Sequence, residues 1–327
     1  FRMQKISLLL TIGFLLAPSA WAAEFNDVPA DHSYHEAITF LADEKIVSGN
    51  PDGTFLADAS VNRVAALKMI LRSVGGVQGR EGQWFTTGFP DVPSDSWFSV
   101  YVRRGKEKGI VSGNADGTFA PDRQVARVEL ISMLTRAFKV DLRSYQELST
   151  SLSTDTVAGA WYLPSLRYAV ELGLIVPQSD GRLEPSRVLT RGEVADMLYR
   201  MITLRRNGEV QQLLSSAEAD LIQVLVALNQ DNISEALART NQALADCDKA
   251  MRIDGSKGVV RAAQKIAQGF KNLTLAYQAA LDGNREQAQQ YVGGAKEMAG
   301  LAYDADPSTQ PVGKKIKQLG DELLAQL

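Results

Sequence analysis

Where apolar residues are dense in this chain, they fall at helical spacing. Tyr34, Ala37, Ile38 and Leu41 stand at i, i+3, i+4 and i+7, and Val64, Leu67, Ile70 and Leu71 share one face of a later segment. The pattern predicts a helix opening behind an N-cap at Asp31 and a second helix from about Arg63 to Val74. Between them, Asn50-Pro51-Asp52-Gly53 has turn chemistry: proline fixes one dihedral and glycine accepts a positive one. Gly75 to Gly88 contains five glycines and reads as a linker.

This plan then returns. Asn50-Pro51-Asp52-Gly53-Thr54-Phe55 reappears 64 positions on as Asn114-Ala115-Asp116-Gly117-Thr118-Phe119, and more faintly after another 64 as Asp180-Gly181-Arg182-Leu183. The Asn62-Arg63 that follows it returns as Ala126-Arg127 and Thr190-Arg191. A threefold internal repeat organises the first part of the chain. In the second copy, Phe89-Pro90-Asp91-Val92-Pro93 leads into a helix expected near Trp97 to Lys108. Gly109 then supplies a left-handed helix C-cap, with Ile110 as its apolar contact. Gly173 and Leu174 hold these places in the third copy. Lys45 holds the glycine position in the first, and a non-glycine there costs on the order of 1 kcal/mol, so the first helix is expected to end differently. In the third copy Asp155 takes the place of Asp27 and Asp91, and Trp161 that of Trp97, while Val176-Pro177-Gln178 replaces the Ser-Gly-Asn of the other turns. Its last helix, opening at Leu189-Thr190-Arg191-Gly192-Glu193-Val194, is expected to end near Arg206-Asn207-Gly208.

From Glu209 onward proline is absent until Pro307, and alanine and glutamine dominate. Helices are expected at roughly 209–229, 232–252, 258–281, 285–304 and 313–327. Ala227, Ala236 and Ala243 are echoed by Ala279, Ala288 and Ala295, each with a polar turn between the first two. These segments resemble the turn and second helix of tetratricopeptide repeats, but they lie 52 apart where that family repeats at about 34. Small-residue packing between antiparallel helices explains the echo equally well. The expected fold is all-α: three helix-loop-helix repeats at 24–75, 89–139 and 153–206, then a helical hairpin bundle over 209–327.

Hydrophobic content of 45% and charged content of 22% are those of an ordinary globular protein, and a net charge of −3 argues against a nucleic-acid binder. Residues 1–23 read as an export signal, with Lys5 ahead of an apolar run from Ile6 to Ala17 and small residues at Ala20-Trp21-Ala22. That run of 12 is short of the roughly 20 needed to span a bilayer, and no cysteine marks a lipid anchor at the cleavage site. The lone cysteine, Cys247, lies among helical residues and is expected to be packed and inert.

The three copies resemble surface-layer homology repeats of bacterial cell-envelope proteins. The resemblance rests on Phe89-Pro90-Asp91-Val92-Pro93, Trp97, Gly109-Ile110-Val111-Ser112-Gly113, Asp116-Gly117-Thr118-Phe119-Ala120-Pro121-Asp122 and Thr190-Arg191-Gly192-Glu193, and covers about residues 24–204. It implies a module packed about a pseudo-threefold axis and noncovalent binding of wall polysaccharide, typically a pyruvylated secondary polymer, in grooves between repeats. With the export signal, the reading is a secreted protein of the cell envelope, cell wall or surface layer, whose C-terminal helices present an interaction surface to a protein partner.

The residues suit that role. Arg63, Arg127 and Arg191 each begin a helix, where side-chain charge and free backbone N–H groups together favour an anion. Trp97 and Trp161 offer flat faces for a sugar ring, and Asp27, Asp91 and Asp155 can accept hydrogen bonds from sugar hydroxyls. The same residues also have structural readings. Thr190 and Glu193 form a capping box, the aspartates can brace the turn before each first helix, and the tryptophans can belong to the core. Copies depart from the pattern: the first lacks the acidic member at Ala65 and has Ser33 for tryptophan, the second lacks the capping hydroxyl at Ala126, and the third loses the turn glycine at Pro177. One or two working sites are therefore expected. The Asp-Gly turns lack the ligand array of a calcium loop. His32 and His35 stand alone, no cofactor is implied, and no catalytic motif is present, so the chain reads as a non-enzyme. The rival readings are an assembly protein whose repeats act as spacers and a wall-anchored enzyme with its active site in 209–327.

Overall fold

The computed structural model of the chain describes residues 25–77, 82–146 and 150–327; the expected export signal lies outside them. The chain divides into two units between Ile202 and Thr203. The described residues form ten α-helices and no strand longer than an isolated bridge.

In the first unit each repeat supplies two helices: α1 (His35–Asp43) and α2 (Arg63–Ser73), α3 (Ser99–Glu107) and α4 (Arg127–Ala137), then α5 (Leu163–Glu171) and the start of α6 (Arg191–Asn229). The apolar faces read from periodicity are the buried ones: Ala37, Ile38 and Leu41 on α1, and Val64, Leu67, Ile70 and Leu71 on α2. Equivalent positions of all three copies meet in one core, Phe55, Phe119 and Leu183 among them.

The copies close on one another around a ring of three hydrogen bonds. The Val61 N–H donates to the Leu189 carbonyl, Leu189 to Val125, and Val125 back to Val61, at 3.2, 3.2 and 3.1 Å. Three bridges flank the ring in the same cyclic order, Ser60 with Thr190, Asn62 with Gln124 and Ala126 with Val188. All three ring residues are buried, so each N–H finds in the next copy the acceptor that water cannot supply. This is the pseudo-threefold arrangement the resemblance implied.

Three local expectations are corrected. Asp31 is not an N-cap. Two successive turns, closed by His32 N–H to the Pro29 carbonyl and His35 N–H to the His32 carbonyl, delay the helix until Tyr34 takes the capping position. Lys45 does not change how α1 ends. It adopts φ 58°, its N–H bonds the Ala42 carbonyl and Ile46 bonds Leu41, which matches Gly109 with Lys106 and Ile110 with Gly105 after α3. Satisfying those carbonyls and burying Ile46 offset a backbone cost of about 1 kcal/mol. Finally, α6 does not stop near Gly208 but continues to Asn229. A glycine inside a helix costs about 1 kcal/mol, but without a left-handed φ it does not terminate one.

In the second unit, the Thr203–Asn229 part of α6 is followed by α7 (Ile233–Asp254), α8 (Gly258–Leu281), α9 (Arg285–Ala305) and α10 (Gln310–Ala325). The alanine echo marks two hairpins of one design. Asp231 (φ 54°) and Gly283 (φ 72°) turn the chain, and the N–H groups of Asn232 and Asn284 bond Ala227 and Ala279. Each asparagine side chain then caps the next helix, accepting from Glu235 and Gln287 N–H. Ala236, Ala243, Ala288 and Ala295 are fully buried where the helices approach. Cys247 is also buried, and desolvation pushes its thiol up to about 12, which makes it unreactive near neutrality. Among the described residues no helix is long and apolar enough to cross a membrane.

Candidate functional site

The second helix of each repeat starts at an arginine, but its first-turn amides are not open to a ligand. Arg63 and Val64 N–H donate to the Arg123 and Pro121 carbonyls, Arg127 and Val128 to Arg187 and Pro185, and Arg191 and Gly192 to Ala59 and Ala57. The third amide of α2 is capped by Asn62, and that of α6 by the Thr190 hydroxyl. The expectation of free amides beside the arginines therefore fails, because the neighbouring copy supplies their acceptors.

The guanidinium groups instead reach across copies. Arg63 of the first repeat lies over the Phe119 ring of the second at 5.0 Å, and Arg191 of the third over Phe55 of the first at 4.5 Å. An arginine over an aromatic face contributes about 0.5–2 kcal/mol, more when desolvated. Arg191 also donates to the Ser48 carbonyl at 3.1 Å, and Arg63 to Glu129 at 3.4 Å. Burial lowers the pKa of both, yet a guanidinium stays charged at any physiological pH. The Nε atoms of both are buried without a partner.

Each of these arginines closes a groove to which all three copies contribute. One, of about 250 Å³, is bounded by the Ile46–Asn50 turn, by Ala65, Lys68, Met69 and Arg72 on α2, by Trp97 of the second copy and by Arg191 of the third. The other, of about 330 Å³, is bounded by the Ile110–Asn114 turn, by Glu129, Ser132, Met133 and Arg136 on α4, by Trp161 of the third copy and by Arg63 of the first. Shifting the first by 64 positions and advancing each copy by one gives the second. Trp97 and Trp161 are 57% and 61% exposed, so the core reading for them is set aside. Trp97 stacks edge-on against Phe98 and Tyr101 and has the Lys68 ammonium 5.0 Å from its ring, which holds its plane beside the groove.

The third copy builds the equivalent place differently. Leu183 stands where Phe55 and Phe119 supply a ring, and Ser33 stands where a tryptophan would complete the wall. Arg127, 5% exposed, donates to the Leu183 carbonyl and lies 3.8 Å from the Glu184 carboxylate, and its Nε, like those of Arg63 and Arg191, is buried without a partner.

The three aspartates are turn braces. Asp27 accepts from Phe55 and Leu56 N–H at 2.7 and 2.6 Å, Asp91 from Phe119 and Ala120 at 2.9 and 2.6 Å, and Asp155 from Leu183 and Glu184 at 3.0 and 2.8 Å. Leu56, Ala120 and Glu184 all have positive φ, so each carboxylate pins a strained corner of the loop that presents the ring or its replacement. Burial raises the pKa of Asp27 and Asp155, but the amide bonds, with the Ser153 hydroxyl ahead of them at Asp155, more than offset this and hold both carboxyls below the usual range. Thr190 and Glu193 form the anticipated capping box, and Glu129 caps the Ala126 N–H in the second copy.

The sequence reading missed Phe55 and Phe119 as the rings beneath the groove arginines, and Lys68, Glu129, Arg72 and Arg136 as groove residues. A signal for the last two was present: Arg72, Arg136 and Arg200 recur at the same 64-residue interval as the helix-opening arginines. Among the described residues, no cluster of three or more histidine, cysteine, aspartate or glutamate side chains is placed to hold a metal.

Comparison with known proteins finds the S-layer homology domain at residues 24–66, 88–131 and 154–195. The chain is 24% identical over 317 residues to S-layer protein EA1 of Bacillus anthracis, covering 94% of this chain and 35% of the relative. It is 25% identical over 266 residues to an S-layer protein of Bacillus licheniformis, covering 79% and 29%. To an uncharacterized cell wall amidase of Bacillus anthracis it is 27% identical over 192 residues, covering 58% and 34%. The chain thus spans about a third of the length of these curated relatives.

Proposed function

Because the chain carries three tandem S-layer homology domains, we propose that it is a secreted envelope protein held noncovalently to a bacterial wall polysaccharide by the grooves of its first unit. The observation that carries this reading is the pair of threefold-related grooves. Each joins an arginine whose Nε is buried and partnerless to an exposed tryptophan face. A sugar ring packs on the indole while its hydroxyl, acetamido or carboxylate oxygens meet the cation. A pyruvylated polymer would supply such a carboxylate. Two weak sites on one closed module act together along a polymer, and effective concentration prolongs residence. The third repeat closes the module. The C-terminal helices serve as an interaction domain for a protein partner, and catalysis has no part in this reading, although one relative bears an amidase name.

The test is co-sedimentation of the full chain with purified walls and with walls stripped of their secondary polymer. Binding should fall at least tenfold on stripping and on replacing Arg63 and Arg191 together by alanine, with the fold of the variant checked by thermal unfolding. Equal sedimentation with stripped walls would remove the polysaccharide from the proposal.

A further inference from the structure

The second unit holds a slot that wall anchoring does not use. It measures about 570 Å³ and lies between α6, α8 and the first turns of α10, with Cys247 of α7 at its base. Its lining is graded with depth. Ala217, Cys247, Ile266 and Phe270 are buried members of the unit's core, so the slot reaches the core itself. Ile222, Val259 and Val312 form its rim and are 54%, 43% and 41% exposed. Two features keep it open. Ala217 on α6 and Ala263 on α8 are small, and α10 presents its buried face elsewhere. That face is Gly313, Ile316, Gly320 and Leu323, packed so closely that a Cβ on Gly320 would stand 2.7 Å from Val292 of α9. Val312 and Lys315, on the adjoining face, are left to line the slot. Protein cores rarely leave a space of this size, and water at the base would meet only a thiol, which is a weak partner.

Dimensions and charge select the occupant. From Leu214 to Leu225 the α6 wall is about 16 Å long at 1.5 Å per residue. Spread over that length, the volume gives a mean section of about 35 Å², enough for an alkyl chain and well below that of a helix about 10–12 Å across. The polar side chains stand at the opening. Gln211, Ser215 and Thr309 are uncharged, while Glu218 on α6 and Lys315 on α10 are exposed and have no ion-pair partner among the described residues. One acid and one base complement a head group that carries both signs. We propose that the slot binds a single-chain amphiphile, with an aliphatic tail of roughly twelve carbons inside and a zwitterionic head at the rim beside Glu218 and Lys315. The tail supplies most of the affinity, because it is what leaves water. The head adds little, because exposed ion pairs are weak. Wall anchoring by the first unit does not depend on this site.

The test is isothermal titration calorimetry of the full chain with octyl, decyl, dodecyl and tetradecyl phosphocholine, each below its micelle-forming concentration. Affinity should rise about two- to fourfold per methylene from octyl to dodecyl and then level off as the slot fills. Dodecyl phosphocholine should bind about two- to fivefold more tightly than dodecanoate or dodecyltrimethylammonium, each of which leaves one rim charge unmatched. Ala263→Leu, which fills the slot, should weaken dodecyl phosphocholine by about tenfold or more. Should circular dichroism show that this variant does not fold, Ile222→Ser on the exposed rim carries the test, with an expected loss of about threefold. Affinity independent of chain length, undiminished binding by the folded variant, or no heat with any of the four would overturn the proposal. Flotation with phosphatidylcholine vesicles that dodecyl phosphocholine does not compete away would also overturn it, by placing the rim on a bilayer. So would self-association of the full chain, seen by light scattering, that Ile222→Ser abolishes and dodecyl phosphocholine leaves unchanged, since the rim would then belong to a second copy.

Discussion

The aspartates separate a structural from a ligand-binding role most sharply at Asp91. Its two oxygens accept from consecutive amides, Phe119 at 2.9 Å and Ala120 at 2.6 Å, and the second amide belongs to a corner with φ 56°. A hydrogen bond to a charged group is worth about 1.5–3 kcal/mol, but Asp91 is partly exposed and water can replace part of the loss. Asp91→Ala should therefore destabilise the first unit by about 2–3 kcal/mol, and Asp91→Asn, which retains one acceptor, by about half as much. At about 2–4 °C per kcal/mol for a unit of this size, the alanine variant should melt roughly 4–12 °C lower. The four tryptophans are at 21, 84, 97 and 161, so none lies in the second unit, and fluorescence-monitored urea and thermal unfolding reads the first unit alone. At a temperature where the variant remains folded, its sedimentation with walls should match that of the unmutated chain. An unchanged midpoint combined with lost wall binding would refute the reasoning and return the carboxylate to the ligand.

Acid should weaken the same unit. Burial raises the pKa of Asp27, Asp155, Glu129 and Glu193, but amide bonds, the Ser153 hydroxyl at Asp155 and the neighbouring Arg123, Arg63 and Arg187 more than offset this and leave all four below their ordinary values. Their stabilisation is thus complete above the unfolded-chain values near 4 and is lost as pH falls through the lower folded ones, so the fluorescence midpoint in urea should hold from about pH 7 to 5 and drop below about 4. A midpoint constant down to about pH 3 would contradict it. Gly208→Ala, in the exposed interior of α6 where an added Cβ meets nothing within 4 Å, should raise stability by about 0.5–1 kcal/mol, measured as an increase in the urea midpoint followed by circular dichroism.

Most of the fold was legible because its signals are local. Apolar spacing gave the faces of α1 and α2, the 64-residue recurrence gave the copies, and the alanine echo gave the two C-terminal hairpins. What escaped depends on contacts between copies. Arg63 looks, in sequence, like the neighbour of Phe55, eight residues before it, yet it covers Phe119, while Phe55 is covered by Arg191. No propensity encodes that cyclic exchange. The first-turn amides were misread for the same reason, since their acceptors lie in another repeat. Lys45 shows a separate limit: a residue-level cost of about 1 kcal/mol is a weak prior against two backbone bonds and a buried isoleucine.

The ring through Val61, Val125 and Leu189 bears on how such a module can be shortened or rearranged. In a stacked array, each unit adds its own stability and its contact with the next, so length can vary and the ends merely need capping. Here every copy both gives and takes one bond, and no copy is terminal. Removing one repeat exposes a donor on one side, an acceptor on the other and two core faces at once. Copy number is consequently a threshold: three make a cooperative body, and two leave an open gap that neither can fill. Transplanted, this module should fold only as a complete turn of the ring.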